Sequence, residues 1–340
     1  MAWKRRVIDR MERCYCVGSA SICGQDVIYA ASEEKGGAFY TYSVTECGRE
    51  VIWEHGGGTM AVVPVPGEAD TLYAIRNFFP GFNAADAQVV CCRKKEDKWE
   101  LIPVLDLPYL HRFDIFQVED KRVFLGSTLC TSKKEKEDWS DPGKVYVGYL
   151  EEDVTAGFKV EVLAEGLVKN HGYWRGEYQG QQAGYIASQN GVFAFVPGKT
   201  TDNSRWERVW NHPVSEAAFF DLDGCGEREL IAIEPFHGKE LNIYKLIGGK
   251  YEQVYTYPSP AEFLHAIWVG EFSGKPVVIC GARRLNKELF MVTYENGGYV
   301  TNIIDEGVGS ANVCVFYSGE RPYILSADHG RGDIALYSED

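Results

Sequence analysis

Several common signatures of function are missing from this chain of 340 residues. No apolar run approaches the length of a membrane span, so a membrane is not expected as a partner. Met1 to Asp9 carries no apolar stretch of the kind a secretory signal needs. No Walker loop, Gly-x-Ser-x-Gly elbow or His-Glu-x-x-His helix occurs, and nothing indicates an organic cofactor. Positive charge is in short supply: 35 Lys and Arg against 49 Asp and Glu leave a formal charge of −14, which argues against nucleic acid as a partner. The ten cysteines include no Cys-x-x-Cys pair, and most sit in apolar strand-like runs. Buried reduced thiols are the expectation, which favours a reducing cytoplasm over a disulfide framework. Long helical periodicity is absent throughout.

What the chain does have is an internal repeat. Seven segments share a short apolar strand, a second apolar strand ending in a polar loop, and two amphipathic strands. The first strands align from Cys14-Tyr-Cys-Val-Gly-Ser19 through Leu110-His-Arg-Phe-Asp-Ile115 to Ala311-Asn-Val-Cys-Val-Phe316. Their second residues are Tyr15, Met60, His111, His171, Glu216, His265 and Asn312, spaced by 45, 51, 60, 45, 49 and 47. Those spacings fit four-stranded blades, so one all-β, seven-bladed β-propeller domain over residues 1–340 is expected. The last segment ends after its third strand. Arg6-Val-Ile-Asp9 resembles Asn302-Ile-Ile-Asp305, the fourth strand of the sixth segment. The N-terminal strand is therefore expected to complete the last blade and cover its open edge.

Inner strands of a propeller start near the axis, and loops entering them share a face with loops between second and third strands. Blades three to six place His111, His171, Glu216 and His265 in one register. Imidazoles and a carboxylate in this mix suit a divalent transition metal: zinc, manganese or iron. The alternative is a water-filled polar channel. The loops after the second strands add Arg76, Asn77, Phe79, Gln189, His237, Arg283, Arg284 and His329. Arginines can clamp a carboxylate through their planar fork; Gln189 and Asn312 can bond hydroxyls; Phe79 and Trp139 can stack on a sugar face. Gly56-Gly-Gly58 would let backbone approach the mouth closely. The long loop from Thr131 to Gly143, which carries Trp139, reads equally as a solvated excursion or as a flap over the channel.

Two resemblances follow from these residues. Phe220-Asp-Leu-Asp-Gly-Cys-Gly226 resembles the Asp-x-Asp-Gly-x-Gly turn of FG-GAP and VCBS-type propeller repeats, where Asp221 and Asp223 would face calcium. Cys225 occupies the place of a further oxygen ligand, so a tight turn without metal is the expectation. The seven-fold mouth with histidines, a carboxylate and arginines is similar to the propeller-type carbohydrate lyases and dehydratases, such as oligogalacturonate lyases and the propeller domain of aldos-2-ulose dehydratase. That resemblance implies a metal on His111, His171, Glu216 and His265 and β-elimination on a small saccharide, a keto-sugar or uronic acid. His329 or Tyr15 would take the proton and Arg283 would steady negative charge. A metal-independent glycosidase or rhamnose–glucuronate lyase, or a propeller that only binds glycan or protein, are the alternatives.

Overall fold

The computed structural model describes residues 2–44 and 48–339. Among the described residues twenty-eight strands, numbered β1 to β28 in chain order, form seven sheets of four, apart from one short 3-10 turn at Thr201–Asn203. Each sheet is one antiparallel blade. The inner strands are β2 (Cys14–Ile22), β6 (Val62–Pro64), β10 (Leu110–Val118), β14 (Gly172–Tyr178), β18 (Glu216–Phe220), β22 (Glu262–Phe272) and β26 (Val313–Ser318). No helix among the described residues is long and apolar enough to cross a membrane.

Local sequence explains the blades. Hairpins turn through pairs such as Cys23-Gly24, Gln179-Gly180, Ser273-Gly274 and Asn296-Gly297, with positive φ at both residues. This is the turn whose twist matches that of the flanking strands. Second strands such as β7 (Thr71–Arg76) are buried on both faces, because a neighbouring blade stacks on each side. Outer strands are mostly exposed or half-buried, as in β25 (Gly298–Asp305), where only Ile304 is buried. The core therefore lies between blades, near the axis. Strand β6 is the shortest inner strand. Pro64 and Pro66 cannot donate to the ladder, and before it Gly57 and Gly58 turn through positive φ. A Cβ on Gly58 would lie 2.4 Å from the Phe78 nitrogen, so only glycine fits this approach.

The ring closes as the N-terminal segment suggested. β1 (Trp3–Arg10) pairs antiparallel with β28 (Asp333–Glu339), from Trp3 opposite Glu339 to Arg10 opposite Asp333. The last sheet thus runs β1, β28, β27 (Arg321–Asp328), β26. Arg5 fastens it: its guanidinium reaches Asp328 at 2.9 Å, Asp333 at 2.8 Å and Asp305 of the adjoining blade at 3.3 Å. The nine described cysteines are all free, and only Cys23 and Cys225 are exposed. Cys47 lies outside the described residues.

Candidate functional site

Three inner strands break register at the axis. The pairing skips Tyr15 between Cys14 and Cys16, His111 between Leu110 and Arg112, and His265 between Leu264 and Ala266. A bulge re-aims the side chain of its extra residue, and here each one lies at the central cavity. His171 precedes β14, tied by its N–H to the Ala187 carbonyl. Gly172 follows it of necessity: a Cβ there would meet the Ser215 carbonyl at 2.4 Å and a Glu216 carboxylate oxygen at 2.9 Å. His237 arrives from a different direction, on the loop between β19 (Glu229–Glu234) and β20 (Glu240–Ile247), with φ of 47°.

These side chains form a cluster of imidazoles. Nε2 of His171 and of His237 lie 3.2 Å apart. Nitrogens of His171, His237 and His265 all fall within 4.8 Å of one another. His111 packs against His171 with ring centres 4.4 Å apart. The tautomers are set from behind. His265 donates from Nδ1 to the Ala311 carbonyl at 2.6 Å, and His111 from Nδ1 to the His171 carbonyl at 3.1 Å. Each therefore turns an Nε2 lone pair inward. Tyr15 lies between them, its hydroxyl 3.2 Å from Nε2 of His265 and 3.5 Å from that of His111. Glu216 stands behind His171, Oε1 approaching Nδ1 to 2.7 Å, although neither atom has a well-aligned hydrogen bond.

Burial, reinforced by neighbouring arginines and histidines, holds His111, His237 and His265 well below the ordinary imidazole range, so they are neutral at pH 7. Burial also pushes the Tyr15 phenol up to about 12. Tyr15 keeps its proton at neutral pH and is suited to donate a hydrogen bond rather than to act as a base.

The cavity above this cluster holds about 480 Å3. One wall is aromatic: Trp139 meets Phe82 at 5.4 Å and Phe236 at 5.3 Å, and Phe236 stacks on His237 at 4.0 Å. Lys133 lies 3.5 Å over the Trp139 ring, and Lys169 lies over Trp139 and Phe236. The other wall joins Arg283, His329, Glu33 and Arg13. Nε2 of His329 is 2.8 Å from both Glu33 Oε1 and Arg283 Nη2, and Arg13 reaches Glu33 at 3.4 Å. Burial alone would raise the Glu33 carboxyl, but its bond to His329 and the charges of Arg283 and Arg13 bring it below its usual range. Five cationic side chains and three carboxylates line the cavity, so it is positive in a chain that is acidic as a whole. Arg13, Phe82, Lys169, His237 and Phe263 all adopt positive φ, a concentration of backbone strain at one place.

Of the residues singled out in the sequence, Tyr15, Phe79, His111, Trp139, His171, His237, His265, Arg283 and Arg284 line the cavity, and His329 borders it through Glu33 and Arg283. Glu216 does not line it; it buttresses His171. Four others point elsewhere. Arg76 lies over the Trp53 ring and Asn77 bonds the Asp86 carbonyl. Gln189 is exposed. Asn312 bonds the Tyr15 carbonyl from the far side of the channel. Glu33, Lys169 and Phe263 were missed. Glu33 had a signal: it directly follows β3 (Gln25–Ser32), the loop register already read in other blades. At the 220–226 turn, the Lys245 ammonium bonds Asp223 and lies 3.6 Å from Glu229, and ligand atoms of Asp221, Asp223 and Cys225 lie within 4.8 Å of one another.

No known protein family and no curated protein matches the chain in sequence. Solved structures resemble it in shape. A protein from Bacteroides uniformis ATCC 8492, provisionally named a 6-phosphogluconolactonase, superposes with a TM-score of 0.55 at 12% identity, over 86% of this chain and 84% of that one. A chain of the mitotic checkpoint complex superposes with a TM-score of 0.60 at 10% identity, over 99% and 95%. At such identities the likeness is one of fold: this chain is a seven-bladed β-propeller.

Proposed function

We propose that this propeller is a metal-dependent enzyme acting on an acidic sugar at its histidine-lined mouth, by β-elimination. The observation that carries the reading is the convergence of His171, His237 and His265 nitrogens within 4.8 Å. Three converging imidazoles match the donor set of a catalytic metal site that keeps positions open. The buried, poorly satisfied Glu216 and His171 Nδ1 fit the same reading, because a carboxylate behind a metal-bound imidazole fixes its orientation and raises its basicity. A bound divalent ion would supply Lewis acidity toward a carboxylate or carbonyl oxygen of the substrate.

The protein's own groups account for the rest. Arg283, beside Phe263 and His329, orients the sugar carboxylate. The aromatic wall of Trp139, Phe82 and Phe236 receives the apolar face of the ring. The Glu33–His329 pair accepts the proton from the carbon next to the carboxylate. The bond from the β-carbon to its oxygen then breaks, and the departing oxygen takes up a proton, with Tyr15 as the neutral donor nearest the imidazoles. The lactone-hydrolase name of the Bacteroides uniformis neighbour agrees with a sugar-acid substrate. The test has two parts. Freshly purified protein should contain close to one equivalent of zinc, manganese or iron. It should also convert uronic-acid oligosaccharides to products with a new ultraviolet-absorbing double bond, in a reaction abolished by chelation and restored by metal. Full activity in metal-free protein would reject the metal, and saturated products would reject elimination.

A further inference from the structure

Beneath the layer formed by Tyr15 and Met60 the channel opens again into a second cavity of about 540 Å3, lined by residues that follow the axial positions along the inner strands. At its inner end is Arg112. The guanidinium donates from Nη1 to the Met60 carbonyl at 2.8 Å and lies 5.9 Å from the centre of the Tyr15 ring. Among the described residues no carboxylate comes within 4.0 Å of it. The carboxylate nearest in sequence, Asp114, is already taken: it accepts from Tyr173, from Arg175 at 3.0 Å and from the Ile115 N–H at 2.7 Å. Arg112 is half-buried, a position at which a guanidinium is commonly paired with a carboxylate. Here a planar fork with donors to spare beyond those engaged by the Met60 carbonyl and Tyr15 faces a cavity whose walls are Val17, Ala61, Val62, Pro64 and Phe113, with Asp114, Tyr173, Arg175 and Asn312 at its border.

We infer that Arg112 is the recognition group of a second binding site, at the end of the channel opposite the histidines, for a small carboxylate with a short aliphatic tail. The two carboxylate oxygens match the guanidinium fork, and the aliphatic walls cover the tail. This site does not depend on the activity proposed for the mouth, and it involves neither the metal nor Arg283.

Butyrate is a suitable probe, with inorganic phosphate and chloride as controls. Calorimetry on the whole protein should show saturable butyrate binding, at least tenfold tighter than phosphate or chloride, and unchanged by chelator. Arg112→Met should weaken it at least tenfold. Ala61→Trp, which fills the cavity and leaves the arginine in place, should do the same. Arg283→Met should leave it unaltered. Should Arg112→Met fail to fold, the wild-type protein crystallised with 4-bromobutyrate decides: an anomalous bromine peak is expected in the Arg112 cavity. No saturable binding, binding retained in folded Arg112→Met, loss in Arg283→Met instead, or bromine only at the histidine mouth would each overturn the assignment.

Discussion

Glu33 is mostly buried yet remains charged, because Arg13, Arg283 and His329 surround it. Its folded pKa is depressed, so the stabilisation it gives is complete above the ordinary glutamate value and is lost as pH falls through the folded one. Glu33→Gln should therefore cost on the order of 1.5–3 kcal/mol near pH 7. The gap to wild type should close as the pH is lowered below ~4.3. Urea midpoints of both proteins across that range measure it; a gap that widens on acidification would contradict the assignment. The imidazoles offer a second comparison. On the proposed metal site, His237→Ala should abolish metal binding, whereas Glu216→Gln, acting only through His171, should weaken metal affinity by roughly 10–100-fold. Equal and complete loss in both would make Glu216 a ligand. The contrast also shows what the sequence could reveal. One register of a radial repeat named Tyr15, His111, His171 and His265, since equivalent positions reach the same axis. It could not rank Glu216 behind His171, because that depends on the bare Cα of Gly172. Nor could it bring His237 into the cluster, because a left-handed turn at that residue leaves no periodic trace.

The Thr131–Gly143 loop is a small structure in its own right. Lys133 donates to the Lys136 and Asp138 carbonyls, Asp138 accepts from Ser140, and an isolated bridge joins Cys130 to Pro142. Its only aromatic, Trp139, is a wall of the cavity. Trp139→Ala should raise the KM for substrate roughly two- to twelvefold, the equivalent of about 0.5–1.5 kcal/mol of ring contact. Loop stability is a separate matter: replacing the exposed residues 134–137 with Gly and Ser should shift unfolding by less than ~1 kcal/mol. A collapse in thermal stability would instead make the loop a brace. Length and charge pattern could place this loop outside the blades but could not say where its tip lands. The strands were easier to read. Val27–Ala30, Leu72–Ile75 and Val277–Cys280 all fall inside second strands, since burial on both faces leaves an apolar run. Thr59-Met-Ala fell outside β6 because the flanking glycines and prolines shorten that strand.

Across the whole molecule the ring is held by its last-made join. Deleting Trp3–Arg10 should expose the edge of β28 and cause aggregation or a large fall in unfolding temperature. Arg5→Met is the subtler probe. It strands Asp328, a fully buried carboxylate, with Tyr337 and Ser326 as its remaining side-chain partners, and should cost about 3 kcal/mol. Chemical denaturation gives the figure, and a loss under ~0.5 kcal/mol, ordinary for a surface site, would show that the strand closes without the arginine. The closure was legible because two fourth strands resembled each other; the arginine clamp was not, since Arg5 and its three acids lie at opposite ends of the chain. That separation has a temporal side. Arg5 and Asp328 stand 323 positions apart. At about 5–20 residues per second on the ribosome, the first strand waits roughly 16–65 s for its partner to be made. During that interval six blades can stack while the seventh does not yet exist, and both ends of the unfinished ring present bare apolar blade faces. The nascent chain is thus most vulnerable to neighbours late in synthesis, and any product released early carries that open seam permanently.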